Sequence, residues 1–226
     1  MFISCRNVPV KLKTRAIPSE MVTRQRLLEA AGEVFAQEGF RSATVRDICR
    51  RAGANVAAVK YHFGDKQKLY AAAVHYAHDC AKRFPVDEGL GPDPTARQRL
   101  EGFVRAMLMG VLEPGRPAWH AKLMTREMAE PTAVLQKIAE QGVKPRLQLL
   151  SGIIRSVVGP DVPDVVVRRC ARSIVGQTLF YHFARPMLER VFPDERLDAS
   201  AIDSLAAHIA EFSMAGLLAM KEAKTP

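Results

Sequence analysis

The stretch from Thr44 to Asp65, TVRDICRRAGANVAAVKYHFGD, constrains the fold of this chain more than any other. Val45, Ile48, Cys49 and Ala52 recur at helical spacing, so Thr44 to Ala52 reads as an amphipathic helix capped by the Thr44 hydroxyl. Gly53 ends it, because glycine enters the left-handed region without a Cβ clash. Asn55 then caps a second short helix whose inner face is expected to be Val56, Val59 and Phe63. Ala57, Lys60 and Tyr61 are left on the outer face. Two short helices joined by a tight turn, the second showing small, basic and aromatic groups, suit insertion into a DNA major groove. Read alone, the same pattern also fits an ordinary helical hairpin with a solvated basic face.

The flanking residues narrow the choice. Upstream, Thr23 is read as the cap of a helix in which Leu27, Ala31, Val34 and Phe35 form a stripe, with Gly39 as its stop. Downstream, Gly64 ends the second short helix and Asp65 caps a new one that opens with Lys66. The run LLEAAGEVFAQEGFRSATVRDICRRAGANVAAVKYHFGDKQKLYAAAV resembles the DNA-binding domain of TetR-family transcriptional repressors throughout its length. The match lies in A-x-x-V-F-x-x-x-G-F, the T-V-R-D-I helix, the A-G turn and the Y-H-F-x-D-K segment. The second half, through REMAEPTAVLQ and SIVGQTLFYHFARP, is similar to the ligand domain of YbiH-type, CecR-like members of that family.

Charge follows the same division. The net charge is +9, and residues 1–66 hold 12 Lys+Arg against 6 Asp+Glu, whereas the remainder holds 21 against 18. A basic head on a nearly neutral body points to a polyanionic partner. No apolar run is read as spanning a bilayer and no secretory leader opens the chain. Cys5, Cys49, Cys80 and Cys170 lack metal or disulfide spacing, which suits a reducing cytoplasm.

The expected architecture is all-α, a three-helix head followed by a six-helix body. Residues 1–19 read as a basic arm, although Met21 is an alternative start; residues 20–66 form the helix-turn-helix domain and 67–226 an effector-binding and dimerisation domain. Helices are expected over 66–84, 95–112, 118–129, 132–158 with a kink at Pro145, 164–184 and 200–221.

In the head, Lys60 is placed to donate to guanine, and Ala57 beside Asn55 to meet a thymine methyl. Resemblance to the family implies phosphate contacts from Tyr61 and His62 and a backbone contact from Lys66, and Thr44 is expected to add one. Many family members carry an aromatic residue at the position of Lys60, so an operator cannot be borrowed from a relative.

In the body, Trp119, Leu123 and Arg126 share one stripe and His120, Met124 and Glu127 the next. Gln177, Tyr181 and Arg185 form another, with His182 beside it. An inward-facing mixed stripe suits a small-molecule pocket. With Arg126 central, it would take a ligand having an apolar body and an anionic or accepting head. The competing reading is an Arg126–Glu127 pair tying helices together. His75, His78 and Cys80 do not share a face, so no metal or other cofactor is expected, and no catalytic motif is present. The expectation is a repressor that binds double-stranded palindromic operator DNA. The resemblance implies a homodimer paired through the two C-terminal helices, released by an unknown small-molecule effector. The alternative is a small-molecule sequestering protein with an idle head.

Overall fold

The computed structural model describes residues 19–113, 116–195 and 198–222, so the expected basic arm lies outside the described residues. Eleven α-helices follow one another among them: α1 (Ser19–Ser42), α2 (Val45–Ala52), α3 (Val56–Phe63), α4 (Lys66–Ala81), α5 (Ala96–Leu112), α6 (Ala118–Ala129), α7 (Ala133–Ile138), α8 (Lys144–Val158), α9 (Asp164–Phe183), α10 (Arg185–Val191) and α11 (Ala199–Glu222). No strand occurs among the described residues, as the absence of two-residue periodicity requires.

The local chemistry explains most boundaries. Thr44 accepts from the Asp47 N–H at 3.1 Å, and Gly53 takes φ 58, ψ 41 after α2. Asn55 caps α3 through the Ala58 N–H at 2.8 Å, and Asp65 caps α4 through the Lys68 N–H at 2.7 Å. Thr95 and Gln98 exchange side-chain and backbone hydrogen bonds as a reciprocal capping box on α5.

Other boundaries moved. Thr23 lies inside α1, which begins four residues earlier at Ser19, so it is not the cap the sequence suggested. Gly39 does break that helix, at φ 82, ψ 169. The expected kink at Pro145 becomes a five-residue π turn, Ala139–Val143, immediately before α8. A proline in the first turn of α8 has no N–H to give, and the wider turn keeps its ring off the preceding carbonyl. Pro186 likewise opens α10 after a break at Ala184. The first break separates α7 from α8 and the second α10 from α9, which gives eight helices after the first three in place of six among the described residues.

The described residues divide into two compact units. The first comprises described residues 19–80 and 116–138, so α4, α6 and α7 belong with α1, α2 and α3; the second comprises 81–113, 139–195 and 198–222. In the first unit, Leu27, Phe35, Ile48, Val59, Leu69, Tyr70 and Leu123 form the core. Two glycines on α1 let α6 lie close. A Cβ on Gly32 would collide with the Trp119 ring, and one on Gly39 would stand 2.7 Å from Arg126 Nε. Seven residues separate both members of each pair, so the notches keep register along two turns.

In the second unit α11 packs along α5, and α5, α8 and α9 surround a core that includes Phe103, Leu108, Ile154, Ile174 and Ile202. By length and composition alone α11 is long and apolar enough to cross a membrane, with mean hydropathy 1.2, as the core helix of a soluble protein also can be. Here its carboxylates Asp203 and Glu211 pair with Arg105 and Arg97 of α5. Cys49 and Cys170 are buried free thiols.

Gly39→Ala is expected to destabilise the first unit by about 1–3 kcal/mol, since its φ/ψ lies in a region only glycine occupies readily and Arg126 must also move. Urea unfolding followed by Trp119 fluorescence checks this. The chain has one tryptophan, and it lies in this unit.

Candidate nucleic-acid interface

Helix α3 buries Val59 and Phe63, 2 % and 8 % exposed, and these two side chains orient it. Ala57, Lys60 and Tyr61 are exposed, as their spacing required. Val56 departs from expectation. It is 52 % exposed and belongs to the outer face, since i and i+4 place it beside Lys60. Val59 and Phe63 supply the buried face of so short a helix, and its first residue lies outside that face.

Three ties hold α2, α3 and the turn between them against α1. Arg26 of α1 reaches the carbonyls of Ala52 and Gly53, the latter at 3.2 Å, and so fixes the turn between α2 and α3. Arg51 pairs with Glu33. Arg24 lies over the Phe63 ring at 5.1 Å. No sequence pattern singles out Arg26 from other surface cations, so this clamp was not foreseen.

The expected phosphate contacts are placed unevenly. Tyr61 is 73 % exposed, and a hydrogen bond to Glu20 raises its phenol above the ordinary range. His62 is half-buried, edge-on to Tyr61 at 5.0 Å. The Thr44 hydroxyl donates to the Asp47 carboxylate at 2.5 Å while it caps α2, so its proton is already committed. That bond, followed by Arg50 at 2.6 Å, holds Asp47 below the usual carboxylate range. Lys66 donates to the Arg41 carbonyl at 3.2 Å and lies 4.9 Å from the Phe40 ring centroid. In the free protein Lys66 therefore joins the end of α1 to the start of α4. Exposed Arg46 and Arg50 on α2 add cations beside α3 that the sequence reading had not named.

The expected effector residues do not form one group. Trp119, Leu123, Met124, Arg126 and Glu127 belong to the first unit, and Gln177, Tyr181, His182 and Arg185 to the second. Glu127 is fully buried and accepts from Tyr70 Oη at 2.5 Å, Thr132 N at 2.9 Å and Thr132 Oγ1 at 2.7 Å. Burial, then this bond, drives the Tyr70 phenol strongly upward. Arg126 is not paired with Glu127. It donates to the Gln37 carbonyl at 3.3 Å and rests against Gly39, so the expected tie to Glu127 does not form. Trp119 stacks near Tyr76 at 6.2 Å, Leu123 is core, and Met124 packs against the same core.

In the second unit, Gln177 donates to Ser213 Oγ at 3.2 Å across α9 and α11. Tyr181 packs against the core, and His182 Nδ1 lies 3.2 Å from the Val111 carbonyl. Arg185 is exposed and paired with Glu189 at 2.8 Å, a surface contact and not a pocket wall. A furrow of about 310 Å³ runs between α9 and α11, edged by Ser173, Gln177, Phe212, Ser213, Gly216 and Leu217.

Comparison with known proteins agrees with this geometry. Residues 27–73 match the model of bacterial regulatory proteins of the tetR family, and residues 96–217 that of the C-terminal domain of the HTH-type transcriptional dual regulator CecR. The chain is similar to CecR of Shigella flexneri, 26 % identical over 72 % of this chain and 76 % of that protein. It is also similar to the transcriptional repressor AcnR of Corynebacterium glutamicum, 42 % identical over 68 % of this chain and 78 % of that one. The crystal structure of the regulator FadR from Bacillus subtilis, in complex with stearoyl-CoA, shares the fold with a TM-score of 0.58. It is 18 % identical, covering 85 % of this chain and 98 % of that one. The exposed recognition face, its capped frame and both matched segments place this chain in the TetR family of transcriptional regulators, with a CecR-type C-terminal half.

Proposed function

We propose that the protein is a cytoplasmic repressor that binds a palindromic operator as a homodimer and leaves it when a small molecule binds the body. The observation that carries the DNA reading is the outer face of α3, where Ala57, Lys60 and Tyr61 stand exposed opposite buried Val59 and Phe63. Lys60 donates to a guanine edge, and Tyr61 exchanges its Glu20 partner for a phosphate. His62 and Thr44 lie within the same phosphate track, and Asn55 presents the first turn of α3. Exposed Val165, Phe180, Phe212, Leu218 and Met220 on α9 and α11 support pairing with a second copy through those helices. Effector binding is supported by the family and by the acyl-CoA complex of a regulator with this fold. Of the side chains expected to meet the ligand, half-buried Gln177, Tyr181 and His182 are the ones still suited to the role. We assign no reaction to the chain.

Lys60→Ala is expected to cost about 1–3 kcal/mol of discrimination against other sequences. Lys66→Ala weakens binding to all sequences and also loosens the α1–α4 junction. Anisotropy titrations on operator and scrambled duplexes at several salt concentrations separate the two effects. Unchanged selectivity in Lys60→Ala removes the base-reading role.

A further inference from the structure

The exposure of Val56 has a chemical use. We infer that Val56 reads a thymine C5-methyl group in each operator half-site, an inference that rests on the DNA-binding reading above.

One exposed valine on a protein surface is ordinary; the placement of this one is not. Val56 is the first residue of α3, and it shares an exposed face with Ala57, Lys60 and Tyr61. Residues at that end of a recognition helix are the ones that reach base edges. Arg24 of α1 lies over Phe63 at the last residue of α3, at the opposite end of that helix from Val56. Asn55 is occupied with capping the Ala58 N–H, which fixes the backbone under Val56. A β-branched side chain on a fixed backbone has little rotamer freedom to lose on contact. Its two methyl groups offer no hydrogen bond, so they cannot recognise a guanine or adenine edge. In the major groove the apolar feature of a base pair is the thymine methyl. Lys60, one turn along, then falls on a neighbouring base pair, which makes the pair of contacts a short composite reading of thymine and guanine.

The test uses the full chain and the duplex that it enriches from a random library. Each thymine is replaced singly by uracil, which removes only the methyl group, and binding is measured by anisotropy. For the wild-type protein one thymine per half-site is expected to matter, with affinity falling about fourfold for each methyl lost. Val56→Ala is expected to bind the thymine duplex about fourfold more weakly per half-site and to become indifferent to uracil at that position alone. Val56→Thr, of similar shape, keeps one methyl group and gives an intermediate dependence. Circular dichroism establishes that each variant is folded, as half-exposure of Val56 leads one to expect. Two results overturn the inference: no uracil sensitivity in the wild-type protein, or sensitivity at the same thymine that survives in Val56→Ala. Failure to enrich any duplex overturns the DNA-binding reading itself and the inference with it.

Discussion

Gly176→Arg is expected to give a folded monomer that has lost operator binding. In this chain a Cβ at Gly176 meets nothing within 4 Å, so an arginine there costs the isolated fold little. Gly176 lies on the exposed side of α9, near the furrow shared with α11, where the proposed second copy seats. A bulky cation placed at that seam is desolvated without a partner, which costs several kcal/mol. Losing the dimer removes the second recognition helix, and with it an avidity gain of roughly 10²–10⁴ in affinity. Sedimentation at micromolar concentration should show half the wild-type mass with unchanged helicity. A dimer that tolerates the substitution places the interface elsewhere.

Glu127→Ala is expected to be the most destabilising single change in the first unit, by about 2–4 kcal/mol. Glu127 is the shared acceptor of Tyr70 Oη, Thr132 N and Thr132 Oγ1, and both Tyr70 and Glu127 are buried. Removing it leaves the phenol without an acceptor in an apolar setting and opens a void beside it. Adding Tyr70→Phe removes the stranded donor and should return about 1–2 kcal/mol, so the two changes are strongly non-additive. Trp119 fluorescence during urea unfolding reads both variants. Simple additivity would mean that the Tyr70–Glu127 bond contributes little.

Glu127 and Arg126 explain why helix boundaries were legible in the sequence while side-chain partners were not. Helix boundaries in the head follow from local chemistry: Thr44, Gly53, Asn55 and Asp65 each act on backbone within a few residues. Such features are readable without knowing the rest of the fold. Glu127 and Arg126 are decided by elements far away in sequence. Tyr70 is 57 residues from Glu127, and Gln37 is 89 from Arg126. A mixed stripe looks the same whether it lines a cavity or closes a polar seam, and here it closes a seam with the head. The packing of α6 on α1 depends on the notches at Gly32 and Gly39, of which the sequence marks only Gly39, as a helix stop. Val56 was misassigned because helical spacing gives a direction but not the depth of the groove that receives it. The π turn before Pro145 shows the same limit: proline requires a disturbance there, and only packing decides which one.

Enrichment of duplexes from a random library by the full-length protein tests the central claim most directly. The account predicts one recovered motif with two inverted half-sites, bound at a stoichiometry of two chains per duplex and weakened steeply by salt. Recovery of duplexes with no shared sequence, or retention that is equal for every sequence, would contradict it.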